Sequence, residues 1–138
     1  MKAVFDANVV IAGAGWRRES HLCLVQAARR RVIPFATLWI LEEVRRAAQA
    51  MQEAGAFKTH SPWTILSWWA GFARLVDPAA LGKPRSRDVK DDPYLACALA
   101  AGAQVIVSLD HDLLALEKPF GIEIITPRAL LSRLYRTA

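Results

Sequence analysis

The sequence predicts an α/β fold in which a parallel sheet is covered by helices on both faces. Short apolar segments typical of buried strands alternate with segments of helical periodicity along all 138 residues. Two of the apolar segments stop abruptly at a carboxylate, at Asp6 and at Asp110. Alternating strands and helices imply βα units, whose strands run parallel and are joined by right-handed crossovers.

In the first half of the chain, residue types mark where helices begin and end. Ser20 is a suitable N-cap, Gly55 a suitable stop, and Gly13-Ala14-Gly15 suggests a flexible turn after the first strand. The expected elements are a strand over 2–6, a helix over 20–31, a strand over 32–36 and a helix over 37–54.

In the second half, proline follows a capping residue at three expected helix starts, Ser61-Pro62, Asp92-Pro93 and Thr126-Pro127. The helix after Asp92 is alanine-rich and should end at Gly102. The expected elements are a tryptophan-rich helix over 63–72, a strand over 74–77, a loop over 81–90, a helix over 92–102, strands over 104–109 and 122–125, and a last helix from 127.

Composition limits the class of protein. The length and 54% hydrophobic content suit a single domain over residues 1–138 with its own core. Cys23 and Cys97 lack metal-ligand spacing and are expected to be buried thiols. We expect a soluble, cytoplasmic protein, because no leader or membrane-spanning apolar run is visible. The net charge of +5 suits a polyanionic partner, although Arg29-Arg30-Arg31 also fits a solvated helix end.

Seven of the 13 acidic residues lie in four short places, three of them strand ends or loops that enter helices. Ligands of open α/β sheets bind outside the carboxyl ends of the strands. Crowded carboxylates need cations, and Mg²⁺ or Mn²⁺ prefers oxygen ligands, so phosphodiester hydrolysis is the natural chemistry. An alternative is that some acids only cap helices. The seven are Asp6, Glu43, Asp88, Asp91, Asp92, Asp110 and Asp112.

Four motifs in order carry a family resemblance. They are Val4-Phe5-Asp6-Ala7-Asn8-Val9, Thr37-x-x-Ile40-Leu41-x-Glu43-Val44, Arg87-Asp88-Val89-Lys90-Asp91-x-x-Tyr94-Leu95-Ala96-x-Ala98 and Val105-Ile106-Val107-Ser108-x-Asp110-x-Asp112-Leu113-Leu114. Together they resemble the PIN-domain family over nearly the entire chain. The resemblance implies a three-layer fold with a five-stranded parallel sheet of order 3-2-1-4-5, and a metal-dependent endoribonuclease activity with Mg²⁺ or Mn²⁺.

The same resemblance assigns roles to individual residues. The catalytic, metal-holding acids would be Asp6, Glu43, Asp91 and Asp110, with Asp112 as an outer or alternate ligand. Asn8 and Ser108 would orient ligands or water, and Asp88 would assist or fix its loop. Ser108 stands where a threonine is more usual and keeps the hydroxyl.

Two assignments have a neighbouring competitor. Adjacent helix residues point about 100° apart, so only one of Glu42 and Glu43 can face the site. Spacing from Ile40-Leu41 favours Glu43, and spacing to Tyr94-Leu95 favours Asp91 over Asp92.

Partners are suggested by length and by one helix. Many small members of the family are toxins of toxin–antitoxin pairs, and this chain has a suitable length to act on RNA under the control of an antitoxin. The tryptophan-rich helix carries more large apolar groups than one core-facing stripe needs, so some should be exposed. A homodimer or an antitoxin groove is therefore expected there; the alternative is that the helix is simply buried.

Two other functions compete with the nuclease interpretation. A haloacid-dehalogenase-type phosphatase needs Asp-x-Asp after the first strand, whereas this chain has Asp6-Ala7-Asn8. A non-catalytic RNA-binding or scaffold module would be expected to have lost one of the four acids, and all four are present.

Overall fold

A computed structural model of the chain describes residues 1–57, 61–82 and 91–136. Within these ranges it contains five strands and seven α-helices. In chain order they are β1 (Lys2–Phe5), α1 (Ala7–Gly15), α2 (Arg18–Ala28), β2 (Ile33–Ala36), α3 (Leu38–Glu53), α4 (Trp63–Phe72), β3 (Arg74–Leu75), α5 (Asp92–Ala101), β4 (Val105–Val107), α6 (His111–Leu114), β5 (Glu123–Ile125) and α7 (Pro127–Arg136).

The five strands form one parallel sheet in the order β3-β2-β1-β4-β5, which confirms the predicted order. The β1 residues Ala3 to Phe5 and all of β4 are fully buried. Successive strand residues face opposite sides of a sheet, so burial without alternation requires cover on both faces. This arrangement agrees with the expected three-layer fold.

The predicted turn at Gly13-Ala14-Gly15 is wrong, because these residues complete α1. A Cβ atom on Gly13 would lie 2.9 Å from Leu24 Cδ1 and 3.0 Å from the Ser20 carbonyl oxygen. Glycine at position 13 therefore allows α1 and α2 to pack closely. This packing outweighs the low helix propensity of glycine. The predicted N-cap at Ser20 is also wrong, since α2 starts at Arg18 and Ser20 is buried against α1.

Other predicted helix ends are confirmed. The Thr37 hydroxyl accepts a hydrogen bond from the Ile40 N–H at 3.2 Å, and the Thr126 hydroxyl accepts one from the Ala129 N–H at 3.1 Å. Gly102 ends α5 in the left-handed conformation, with φ at +66°. Thr37 matters most for the site, because it sets where α3 begins.

Side-chain burial agrees with two further expectations. Cys23 and Cys97 are buried free thiols, and burial raises the pKa of both to about 12. On α4, Trp69 is fully buried whereas Trp68 is 39% exposed, so the helix does carry surplus apolar surface. In the ranges described, no helix combines the length and the apolar character that a bilayer crossing requires.

Candidate functional site

The neighbouring strands β1 and β4 bring two predicted site residues to one edge of the sheet. Phe5 is in register with Val107, and the Asp6 N–H donates to the Val107 carbonyl at 2.9 Å. Asp6 therefore lies beside Ser108, which directly follows β4. Two helices begin at this edge, since α1 follows Asp6 and α6 follows Asp110.

A cleft of about 320 Å³ opens at this edge. All four acids predicted to be catalytic line it, and they come from four separate parts of the chain: Asp6, Glu43, Asp91 and Asp110. No Lys or Arg is among the described residues that line the cleft. The cleft is therefore acidic, although the chain as a whole is basic.

One face of α3 forms a wall of the cleft. Trp39, Glu43, Ala47 and Met51 all line it, and they are spaced four residues apart, which puts them on one side of a helix. Glu42 lies on the exposed side, where both its carboxylate oxygens accept hydrogen bonds from Arg45. The structure thus brings Glu43, and not Glu42, to the other acids.

Glu43 is not isolated on that wall. Its carboxylate lies 3.3 Å from the Arg46 guanidinium, one helical turn away. Half-exposed pairs of this kind contribute little free energy, so Arg46 leaves Glu43 available to another cation.

Asp6 is the most constrained of the four acids. It is 6% exposed, and its Oδ2 accepts a hydrogen bond from the Ser108 hydroxyl at 2.7 Å. Burial raises the pKa of Asp6, the hydrogen bonds from Ser108 and Tyr94 lower it, and the nearby charge of Asp110 raises it further. Ser108 also accepts a hydrogen bond from the Asp110 N–H at 2.9 Å, so one buried hydroxyl ties both acids together.

Tyr94 is a site residue that the sequence predicted only as one position of the third motif. Its hydroxyl accepts a hydrogen bond from the Ala7 N–H at 3.2 Å and interacts with the Asp6 carboxylate. Burial is the main cause that raises the pKa of the Tyr94 hydroxyl, followed by the charge of Asp6. The helical spacing of Tyr94 from Asp91 was the signal that could have identified it.

The remaining predicted residues divide into two groups. Asn8 is exposed and lines the cleft. Asp112 and the competitor Asp92 do not line it: Asp112 is exposed on α6, where its N–H donates to Asp110 Oδ1 at 2.8 Å, and Asp92 is buried at the start of α5. Asp88 lies outside the described residues.

The cleft's composition and position raise the question of family. A family model of the PIN domain matches residues 2–112, which is most of the chain. The chain belongs to the PIN-domain family. PIN domains are generally nucleases and normally use divalent metal ions.

The fold of this PIN domain also has a solved counterpart. The crystal structure of PAE2754 from Pyrobaculum aerophilum is similar to it, with a TM-score of 0.70 and 20% sequence identity over 99% of this chain and 90% of that one. At this identity the similarity concerns the fold. None of the curated proteins matches the chain significantly in sequence.

The acids of this PIN domain suit a hard divalent ion by their chemistry. Across residues 1–57, 61–82 and 91–136, no three His, Cys, Asp or Glu side chains form a group ready to hold one metal ion. Mg²⁺ commonly binds through one or two carboxylates, with water and substrate phosphate completing its shell. Four carboxylates around one cleft fit that mode of binding, and a cation there would offset the repulsion between Asp6 and Asp110.

Proposed function

We propose that this PIN domain is a metal-dependent endoribonuclease that hydrolyses phosphodiester bonds of RNA in the acidic cleft. The observation that carries the proposal is the meeting of four carboxylates, distant in sequence, in one cleft at the carboxyl end of the sheet. A merely structural role for these acids would not account for their gathering, because like charges placed together destabilise a fold.

In this proposal Asp6, Glu43, Asp91 and Asp110 hold Mg²⁺ or Mn²⁺. The ion would supply an activated water and neutralise charge that develops on the phosphate. Ser108 and Tyr94 would hold the Asp6 carboxylate in place through their hydroxyls. Asn8, at the exposed rim, is suited to orient water or a phosphate oxygen.

The distribution of charge favours a nucleic acid as the substrate, and the family resemblance favours RNA. The chain carries 18 Lys and Arg against 13 acids, and four of the acids lie in the cleft. The surface outside the cleft is therefore more basic than the total of +5 implies, and it would attract a polyanion to the site.

The test is cleavage of labelled RNA by wild-type protein and by Asp6→Asn, with Mg²⁺, with Mn²⁺ and with chelator. We expect metal-dependent cleavage by wild type and none by Asp6→Asn, with an unchanged circular dichroism spectrum. Asp77→Asn is the matched control, since Asp77 is exposed and does not line the cleft. Equal cleavage by Asp6→Asn would remove Asp6 from the site, and wild-type binding without cleavage would favour the non-catalytic RNA-binding alternative.

We also propose that the domain acts as the toxin of a toxin–antitoxin pair, with a protein partner or second copy seated on α4. The support is a groove of about 320 Å³ between α3 and α4, lined by apolar residues that include Leu41, Leu66 and Trp69. Trp68 adds exposed apolar surface on the same helix. Exposed patches of this type usually mark protein interfaces.

Light scattering of the purified chain tests the homodimer, and co-purification with the product of the neighbouring reading frame tests the antitoxin. In both experiments Trp68→Lys should weaken the association. A monomer that binds no such product would contradict the partner proposal and leave the nuclease proposal unaffected.

A further inference from the structure

We propose that Trp16 and Trp39 form a stacking platform on which unpaired nucleobases of the substrate bind beside the acids. This inference rests on the proposed ribonuclease function and names two residues that would bind the bases of its substrate. Both tryptophans line the same cleft as the four acids. Trp16 directly follows α1, and Trp39 lies in the first turn of α3.

Neither indole is completely buried in the core. Trp16 is 52% exposed and Trp39 is 37% exposed, whereas Trp69 is fully buried. Large aromatic side chains that remain half in water beside a candidate phosphodiesterase site offer a flat π-face to a ligand. Nucleobases stack on such faces with little sequence preference.

Each indole is nevertheless held in place by a second aromatic ring. Trp16 lies 5.7 Å from Phe57 between ring centroids, and Gly15 leaves room for that ring, because a Cβ atom there would lie 2.6 Å from Phe57 Cε1. Trp39 meets Tyr94 edge to face at 5.8 Å. Held rings lose less conformational entropy when a base stacks on them, which favours binding.

The Trp39 contact also couples the platform to the acids. Tyr94 interacts with the Asp6 carboxylate through its hydroxyl and contacts Trp39 through its ring. A base stacked on Trp39 would therefore be held at a fixed position relative to the four carboxylates. The phosphate of that nucleotide would then lie near the acids.

A basic groove continues from Trp16 away from the acidic cleft. Trp16 lines this second groove as well, together with Arg17, Arg18 and His21. Both arginines are exposed, and in the part of the chain that the structure describes neither takes part in an ion pair. An indole beside two cationic groups fits a strand whose bases and phosphates are both accessible.

Double-stranded RNA does not fit this arrangement. Its bases are stacked on each other and its narrow major groove does not admit side chains, so indole faces gain nothing from a duplex. The two exposed indoles of the cleft would therefore bind the bases of a single strand and not those of a duplex.

The experiment measures binding of a short fluorescein-labelled single-stranded RNA by anisotropy in the presence of EDTA, where metal-dependent cleavage cannot interfere. Trp16→Leu and Trp39→Leu remove the π-face and keep an apolar group, whereas Trp16→Phe and Trp39→Phe keep an aromatic face. Tyr135→Leu is the matched control, since Tyr135 is 56% exposed and does not line the cleft.

We expect each leucine variant of Trp16 and Trp39 to weaken binding by about fivefold or more, and the phenylalanine variants to recover most of it. Tyr135→Leu should match wild type. The leucine variants should lose nothing toward an abasic oligonucleotide of equal length, or toward a duplex, because neither offers a base to the indoles.

Equal losses toward the abasic strand, or wild-type affinity in both leucine variants, would overturn the platform. Failure of the phenylalanine variants to recover binding would do the same, since it would indicate packing and not stacking. Because the readout is binding without metal, a failed Asp6→Asn cleavage test would refute the catalytic proposal and leave this result standing.

Discussion

Replacing Ser108 with alanine tests whether one buried hydroxyl organises the acidic cleft. The hydroxyl donates to Asp6 Oδ2 at 2.7 Å and accepts from the Asp110 N–H at 2.9 Å, and Ser108 is fully buried. Because the position is buried, water cannot easily replace either hydrogen bond in Ser108→Ala. The Asp6 carboxylate therefore loses a donor and the Asp110 N–H loses its acceptor.

The expected size of the effect follows from the type of bond. A hydrogen bond to a charged group contributes about 1.5–3 kcal/mol, which for a domain of this length corresponds to a fall in melting temperature of roughly 5–10 °C. Loss of an outer partner of a metal ligand typically costs about 10- to 100-fold in metal affinity or activity. Ser108→Ala should therefore bind Mn²⁺ more weakly by that factor.

The pH profile separates a positioning role from a purely structural one. The hydrogen bond from the Ser108 hydroxyl lowers the pKa of Asp6 and so opposes the effect of burial, which raises it. Removal of the hydroxyl should therefore raise the pKa of Asp6 further. Because the ionised carboxylate is the ligand, the acidic limb of the pH–rate profile should move to higher pH in Ser108→Ala. Ser108→Thr keeps the hydroxyl and should retain the wild-type limb. Wild-type Mn²⁺ affinity and an unmoved acidic limb in Ser108→Ala would refute the reasoning.

Two further outcomes are expected. Glu43→Gln should lower metal-dependent cleavage by at least about 10-fold. Glu42→Gln alters exposed ion pairs with Arg45 and Arg46, and should leave the rate unchanged and the stability within about 0.5 kcal/mol. Steady-state kinetics and urea unfolding of both variants measure this. The folded-state pKa of Asp6 is raised above its ordinary value of 3.8, so in EDTA its contribution to stability is complete below that value and is lost as pH rises through the raised pKa. The melting temperature of wild type relative to that of Asp6→Asn should therefore fall as pH rises above 3.8 in EDTA, and recover on addition of Mg²⁺. A wild-type melting temperature that is indifferent to Mg²⁺ at neutral pH would contradict this.

Local signals were sufficient for most elements near the site. The apolar run before Asp6 identified β1, and helical periodicity identified α3. Both signals act over a few residues. The choice of Glu43 over Glu42 came from its place in a motif of the family resemblance.

The first helix shows where local signals fail. Gly13 and Gly15 predicted a turn, because glycine is a poor helix former. In the fold, Gly13 admits the close approach of α2 and Gly15 admits the ring of Phe57, so contacts with distant residues decide the conformation. Trp39 precedes Glu43 by four residues, so the sequence already places both on one side of a helix. Only the structure shows that this side of α3 lines the cleft with the other acids.

The sequence by itself determined which carboxylates end strands, which helices carry an acid, and that the chain alternates strand with helix. The order of the strands came from a resemblance, since nothing in the residues of β1 and β4 specifies that they pair. Only the tertiary structure decided that Asp6 is buried beside Ser108, that Tyr94 interacts with it, and that two half-exposed indoles flank the acids. The physical reason is that burial, and with it the pKa of a carboxylate, depends on what packs around the group. For Asp6 one such neighbour, Ser108, lies 102 residues away along the chain.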